Sequence, residues 1–384
     1  MGKLLSRRGA RDLLLGLLLG AAALALMMWP QQSMDAAKAG LQLCYNVIVP
    51  SLFPFFILST LMVELGLAEY VGRGLERLMR PLFNVPGCCA SALALGFIGG
   101  YPVGARTAIS LYQSGLRSKT EAERLLAFCN NSGPAFILGV VGAGAFADSR
   151  VGLLLYLAHA AASVCIGLAA RFYKRGESSQ AGRARPDVRS CRLSQAFTCS
   201  VKDSFMSTLN ICAFVVCFTV IIRMCTVSGL LPGLAGLLSL AGLPRQWGER
   251  LLTGLLEVSS GVWTLTGEGA LTGKLSMAAF MLGWAGLSVH CQVLSFLGGS
   301  GLSVRTYVVG KALHGGLSAL FVRLLTMMLP LESQVSFYLV DQVEGIASLD
   351  FSTALTVSLT AAWVIWLAFF LLAAHAIRKG RRRG

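Results

Sequence analysis

A chain of 384 residues in which 55% are hydrophobic and 13% charged, at a mean hydropathy of +0.68, carries more apolar surface than a water-soluble core can absorb and reads as an integral membrane protein. The formal net charge of +15 comes from basic residues beside or between apolar runs, where they set orientation, so nucleic-acid binding is excluded as its cause. The 11 cysteines lie in apolar runs without CxxC or Cys/His ligand spacing, and are read as small core residues rather than disulfides or zinc ligands.

A spanning helix needs about 20 mostly apolar residues, and eight stretches qualify: 12–29, 40–66, 121–146, 150–172, 203–227, 274–298, 304–329 and 353–376. The first follows Lys3, Arg7, Arg8 and Arg11, as a secretory signal would. LMMWP carries its apolar run past any small-residue cleavage site, however, and it is read as a span. AEYVGRGLERLMRPLF, residues 68–83, sets Arg73, Arg77 and Arg80 against Val71, Leu75, Leu78 and Leu82. That amphipathic pattern predicts a helix flat on the cytoplasmic surface with its arginines at lipid headgroups. Residues 86–116 read as two apolar half-helices broken at GGYPVGA, a re-entrant hairpin with basic flanks entering from the cytoplasm.

Within 121–146 the run Asn130-Asn131-Ser132-Gly133-Pro134 interrupts the apolar pattern, and GVVGAGA at 139–145 reads as a close helix-packing surface rather than a phosphate loop. Residues 173–195, rich in Arg, Ser and Gly, read as a flexible linker between two halves. Residues 247–272 form a second apolar pair, broken from Glu257 to Gly261, and GLSVHCQ at 286–292 is the polar interruption of the next span.

The basic N-terminal arm, the segment from Arg171 to Lys202 and the tail RKGRRR are expected in the cytoplasm. The loop 331–352, with Glu332, Asp341, Glu344 and Asp350 and no Lys or Arg, is expected outside. The halves then align in order and oppose each other in direction. The fold class is an all-α polytopic membrane protein of about eight transmembrane helices plus two re-entrant helical hairpins in an inverted-topology repeat. Its segments are 1–38 (arm and first helix), 39–172 (first repeat), 173–202 (cytoplasmic linker), 203–330 (second repeat) and 331–384 (external loop, last helix and basic tail). Such repeats with broken helices point to a secondary transporter with its site near the bilayer midplane. The breaks must face a protein interior or a watery cavity, because lipid does not tolerate exposed irregular backbone. With no P-loop, HExxH or nucleophile elbow, an ATPase or protease is excluded, and neither enzymatic activity nor a cofactor is expected.

Candidate substrate-binding residues follow from the breaks. Gly99, Gly100, Pro102 and Gly104 end one half-helix and open the next, freeing backbone N–H groups at a helix N-terminus, where anions bind. Tyr101 lies in that break and Arg106 directly follows it. A charge at membrane depth is costly and functional by default, and a guanidinium fork suits a carboxylate. The alternative is that Arg106 snorkels or pairs with Glu64 or Glu257. Asn130, Asn131 and Ser132 offer neutral hydrogen bonds, as do Ser259, Ser288, His290 and Gln292. Glu257 is a proton or cation site, or else the structural partner of a cation. Lys311 and Arg323 read as packing or interfacial charges near a helix end, with contact to an anion as the alternative; His159 and His314 read as satisfied interior histidines, and His375 as interfacial.

The series PSLFPFFILSTLMVELGL, GFIGGYPVGA, EAERLLAFCNNSGPAFILGVVG and GWAGLSVHCQVLSFLGG resembles the sporulation integral membrane protein family typified by YlbJ, whose members carry the Gate, or nucleoside-recognition, type of domain. The likeness runs from about Met34 to the last span. It implies a membrane protein of endospore formers, in the cell membrane or outer forespore membrane, that moves a small organic anion, dipicolinic acid, from the mother cell towards the forespore. The Gate group also looks like concentrative nucleoside transporters, so a nucleoside or other small solute remains the alternative, beside a non-transporting scaffold in spore assembly. The partners expected are that solute, membrane lipids, a coupling ion (H+ or Na+) and further copies of the chain in a homo-oligomer.

Overall fold

The computed structural model describes residues 7–65, 67–113, 115, 117–175, 193–266, 269–328 and 363. Most of the expected linker, the loop 331–352, the last span apart from position 363, and the basic tail lie outside the described residues.

Among the described residues every regular element is a helix. Helix α1 (Arg7–Met28) is 22 residues long, about 33 Å at 1.5 Å per residue, and exposes its leucines along its length, as a lipid-solvated helix does. Pro30 opens α2 (Pro30–Leu43), a position where its missing N–H has no intrahelical partner to lose. A π turn, Cys44–Ile48, leads into α3 (Val49–Glu64). Both pack along α9 (Leu193–Val227), and Gly40 permits the approach, since a Cβ there would stand 3.1 Å from Val216 Cα.

Helix α4 (Leu67–Phe83) buries Met79 and Phe83 against the protein and leaves Arg77, Arg80, Leu78 and Leu82 exposed. The expected hairpin follows as α5 (Ala90–Gly99) and α6 (Val103–Gln113). Helix α7 (Lys119–Leu126) starts with a reciprocal capping box between Ser118 and Glu121. The chain leaves the α-helix over 127–134 and resumes as a π-helix, Ala135–Ala145. This packs on α8 (Ser149–Ala170), where a Cβ at Gly142 would lie 2.5 Å from Gly152 Cα. The small residues of 139–145 thus serve close packing.

Helix α9 has 35 residues, about 52 Å at the helical rise and so longer than the roughly 30 Å hydrocarbon layer. The second half continues as α10 (Leu230–Leu240), α11 (Arg245–Leu256), α12 (Val258–Trp263), α13 (Leu271–Trp284), α14 (Gly286–Leu297) and α15 (Val304–Met328). Five of the described helical segments are long and apolar enough to cross a membrane, and seven if each of two bent pairs makes one span, against the eight expected over the whole chain.

Each half therefore holds a helix–break–helix hairpin followed by a broken helix. The break between α11 and α12 falls within the expected stretch, narrowed to Glu257 alone because Val258 already begins α12. The last break is at Ala285 and Gly286, with φ of 81° and 77°, so Ser288, His290 and Gln292 ride the first turns of α14 instead of interrupting it.

Candidate functional site

The first hairpin closes on the unwound segment of its own half. Gly100, at φ +70°, and a cis Tyr101–Pro102 peptide join α5 to α6. A Cβ on Gly100 would stand 2.9 Å from Gly133 N. Cβ atoms on Gly96 or Gly104 would overlap the Cys129 carbonyl oxygen, so the two half-helices grip the 127–134 segment by its backbone. The second half repeats the device. A Cβ on Gly286 would meet Val258 N at 2.9 Å and Glu257 Cα at 3.3 Å, and the arms α11 and α12 touch at Gly254 and Gly261.

Glu257 is 1% exposed and extended, at φ −145° and ψ 122°. Its carboxylate accepts from the backbone N–H of Ser259 (3.0 Å) and of Ser260 (2.6 Å). It therefore caps α12 while standing in the wall of the site.

Between the breaks lies a cavity of about 620 Å³ including its opening. Its lining includes the apolar Ile48, Leu52, Phe56, Phe136, Phe214, Val215 and Val289. It also includes Tyr101, Ser132, Glu257, Ser259, Ser288 and Gln292. Of the residues singled out from sequence, these six with Gly99, Gly100 and Gly133 line the cavity, whereas Pro102, Gly104, Arg106, Asn130, Asn131 and His290 do not.

Arg106 departs furthest from expectation. Helix α6 buries Gly104, Ala105, Ala108 and Ile109, and the 3.6-residue period turns Arg106, Ser110 and Gln113 outward. The guanidinium lies over the Phe296 ring at 5.9 Å. Among the described residues it forms an ion pair with neither Glu64 nor Glu257.

Behind the cavity a buried polar network surrounds the first break. Asn130 Nδ2 donates to the Tyr307 hydroxyl (3.3 Å), which also meets His290 Nδ1 (3.0 Å). The His290 ring stands edge-on to Trp284 at 4.3 Å. Asn131 Nδ2 donates to Phe128 O (3.0 Å), and Ser132 N to His159 Nε2 (3.0 Å). His314 Nε2 donates to His159 O (3.0 Å), with the two rings 4.3 Å apart. Tyr101 donates its hydroxyl hydrogen to Leu282 O, tying the first hairpin to α13.

Lys311 takes the packing role of the two expected for it. It is 1% exposed: its Nζ donates to Asn130 O at 2.9 Å and lies 5.2 Å from the Tyr101 ring centre. Tyr307 was not singled out from sequence at all. A signal for both existed, because Tyr307, Lys311 and His314 stand at i, i+4 and i+7 and so form one polar stripe on an otherwise apolar helix.

Residues 46–169 match the Gate family, described as nucleoside recognition. The chain is 34% identical over 318 residues to the sporulation integral membrane protein YlbJ of Bacillus subtilis (strain 168), covering 77% of this chain and 78% of that one. Its fold is similar to that of CNTnw in an inward-facing substrate-bound state, with a TM-score of 0.54 and 13% identity over 84% of this chain and 88% of the other. A doubly substituted CNTnw in an outward-facing state gives a TM-score of 0.51 at 12% identity over 84% and 88%. The all-helical architecture with two broken hairpins is thus a fold shared with CNTnw, and the protein is a multi-pass membrane protein that belongs to the family of the sporulation integral membrane protein YlbJ.

Proposed function

We propose that the chain is a secondary transporter that carries a small planar organic solute through the cavity between Ser132 and Glu257. The observation that supports this most is the convergence of breaks from both halves on one cavity lined by apolar and polar residues. That is the construction of a midplane transport site.

The family resemblance makes dipicolinic acid the leading substrate. Phe56, Phe136 and Phe214 offer an aromatic ring an apolar bed, and the hydroxyls of Ser132, Ser259 and Ser288 with the Gln292 amide offer donors to carboxylates. The cation on hand for an anion is Lys311, behind the Tyr101 ring, rather than Arg106. One observation favours a second reading, a neutral nucleoside. Glu257 is the one carboxylate in the wall among the described residues, and it suits a solute that brings N–H or O–H donors better than a dianion.

Titrating purified protein with dipicolinate and with a nucleoside panel tests both. Saturable dipicolinate binding that competes with no nucleoside supports the first reading, nucleoside binding alone supports the second, and binding of neither by folded protein sinks the assignment of this cavity.

A further inference from the structure

Unwound segments in transporter helices turn backbone carbonyls toward the protein interior, and those carbonyls hold the coupling cation where one is used. The 127–134 segment of this chain has that form. Its Asn130 carbonyl belongs to a buried residue, and the side-chain oxygens of Asn130 and Asn131, residues 1% and 0% exposed, are without hydrogen-bond partners among the described residues. A lysine already reaches this carbonyl. The Lys311 ammonium, carried on α15, donates to Asn130 O at 2.9 Å, lies 3.5 Å from His314 Nδ1 and faces the Tyr101 ring at 5.2 Å. Among the described residues no carboxylate pairs with it. Its counter-charges are therefore the carbonyl dipole and the aromatic face, the groups that would otherwise hold a small monovalent cation.

The way Lys311 is delivered is built into the packing. Gly310 precedes it on α15, and a Cβ there would overlap the Ala127 carbonyl and come within 2.8 Å of Ala127 Cα. The α15 backbone thus runs against the unwound segment itself, which brings the lysine to the carbonyl of Asn130.

We infer that Lys311 is a tethered cation occupying the carbonyl-lined break, so that this transporter needs no Na+ at that position, and that removing the ammonium uncovers a site for a small monovalent cation. The inference rests on the transporter reading only for its flux arm. Its ion-binding arm uses purified protein without substrate, so the two can fail separately.

The ion-binding test is thermal unfolding of wild type, Lys311→Ala and Lys311→Met in NaCl, NH4Cl and choline chloride at equal ionic strength. Wild type should melt at the same temperature in all three salts. Lys311→Ala should melt lower in choline and recover by several degrees, saturably, in ammonium or Na+, because a ligand bound only by the folded state stabilises it by mass action. Lys311→Met keeps most of the stem volume without the charge and should show no recovery. A folded Lys311→Ala that responds to none of the cations overturns the inference. So does a wild-type protein that is specifically and saturably stabilised by Na+. Should Lys311→Ala fail to insert, wild-type uptake into vesicles decides: equal rates in Na+ and in choline support the tethered cation, and strict Na+ dependence refutes it.

Discussion

Replacing Gly104 by alanine separates the packing proposed here from ordinary helix chemistry, because the two give opposite signs. Gly104 lies inside α6 with no positive φ, where alanine is favoured over glycine by about 0.5–1 kcal/mol on intrinsic preference. Here the added Cβ would overlap the Cys129 carbonyl oxygen and stand 2.9 Å from both Cys129 C and Gly96 Cα. Every obstructing atom is backbone, held between two half-helices, so no side chain can swing aside. Overpacking of this kind costs about 1–3 kcal/mol and more where the backbone cannot yield. The net expectation is a loss of about 1–2 kcal/mol or more, read as a melting temperature lower by a few degrees in purified protein. Gly74→Ala is the control, since nothing lies within 4 Å of a Cβ at that position in α4, and it should leave stability equal or slightly raised. If Gly104→Ala is as stable as wild type, the first hairpin does not close on the unwound segment and the site is built differently.

Arg106→Ala should change solute binding by less than about twofold, since an exposed charge outside the cavity contributes little; a tenfold loss in titration would restore Arg106 to the site. Gln292→Leu keeps the buried volume but removes a polar group from the wall, and should weaken binding about tenfold, the worth of roughly one hydrogen bond. Glu257→Ala removes both side-chain caps of α12 and should lower stability by about 0.5–2 kcal/mol, with Glu257→Gln intermediate in the same melting assay. For sidedness, single cysteines at positions 175 and 300 in a cysteine-free background should react only from the cytoplasm and one at 242 only from outside; labelling of 175 and 242 from one face would break the inverted repeat.

The breaks at Gly100 and at 127–134 were legible in sequence because glycine and proline cannot continue a helix cheaply, and GGYP and NNSGP announce the stop locally. The break at Ala285 is not legible locally, because alanine carries no signal for a left-handed residue; its φ of 81° accompanies the close approach of Gly286 to Glu257 and Val258. Nearness to a break in sequence is not nearness in space, and one helical turn past the break rotates Arg106 outward. Lys311 is the converse case. Nothing in α15 breaks around it, and only the packing of α15 on a segment 181 residues away in sequence brings its ammonium to Asn130 O.

Uptake into vesicles reconstituted with the purified protein tests the central claim most directly. Labelled dipicolinate, run beside labelled nucleosides, should enter saturably by exchange against unlabelled solute inside. Gln292→Leu should slow that exchange, and Arg106→Ala should leave it near wild type. Folded, correctly inserted protein that exchanges none of these solutes above empty vesicles would contradict the transporter account and leave the broken helices as packing alone.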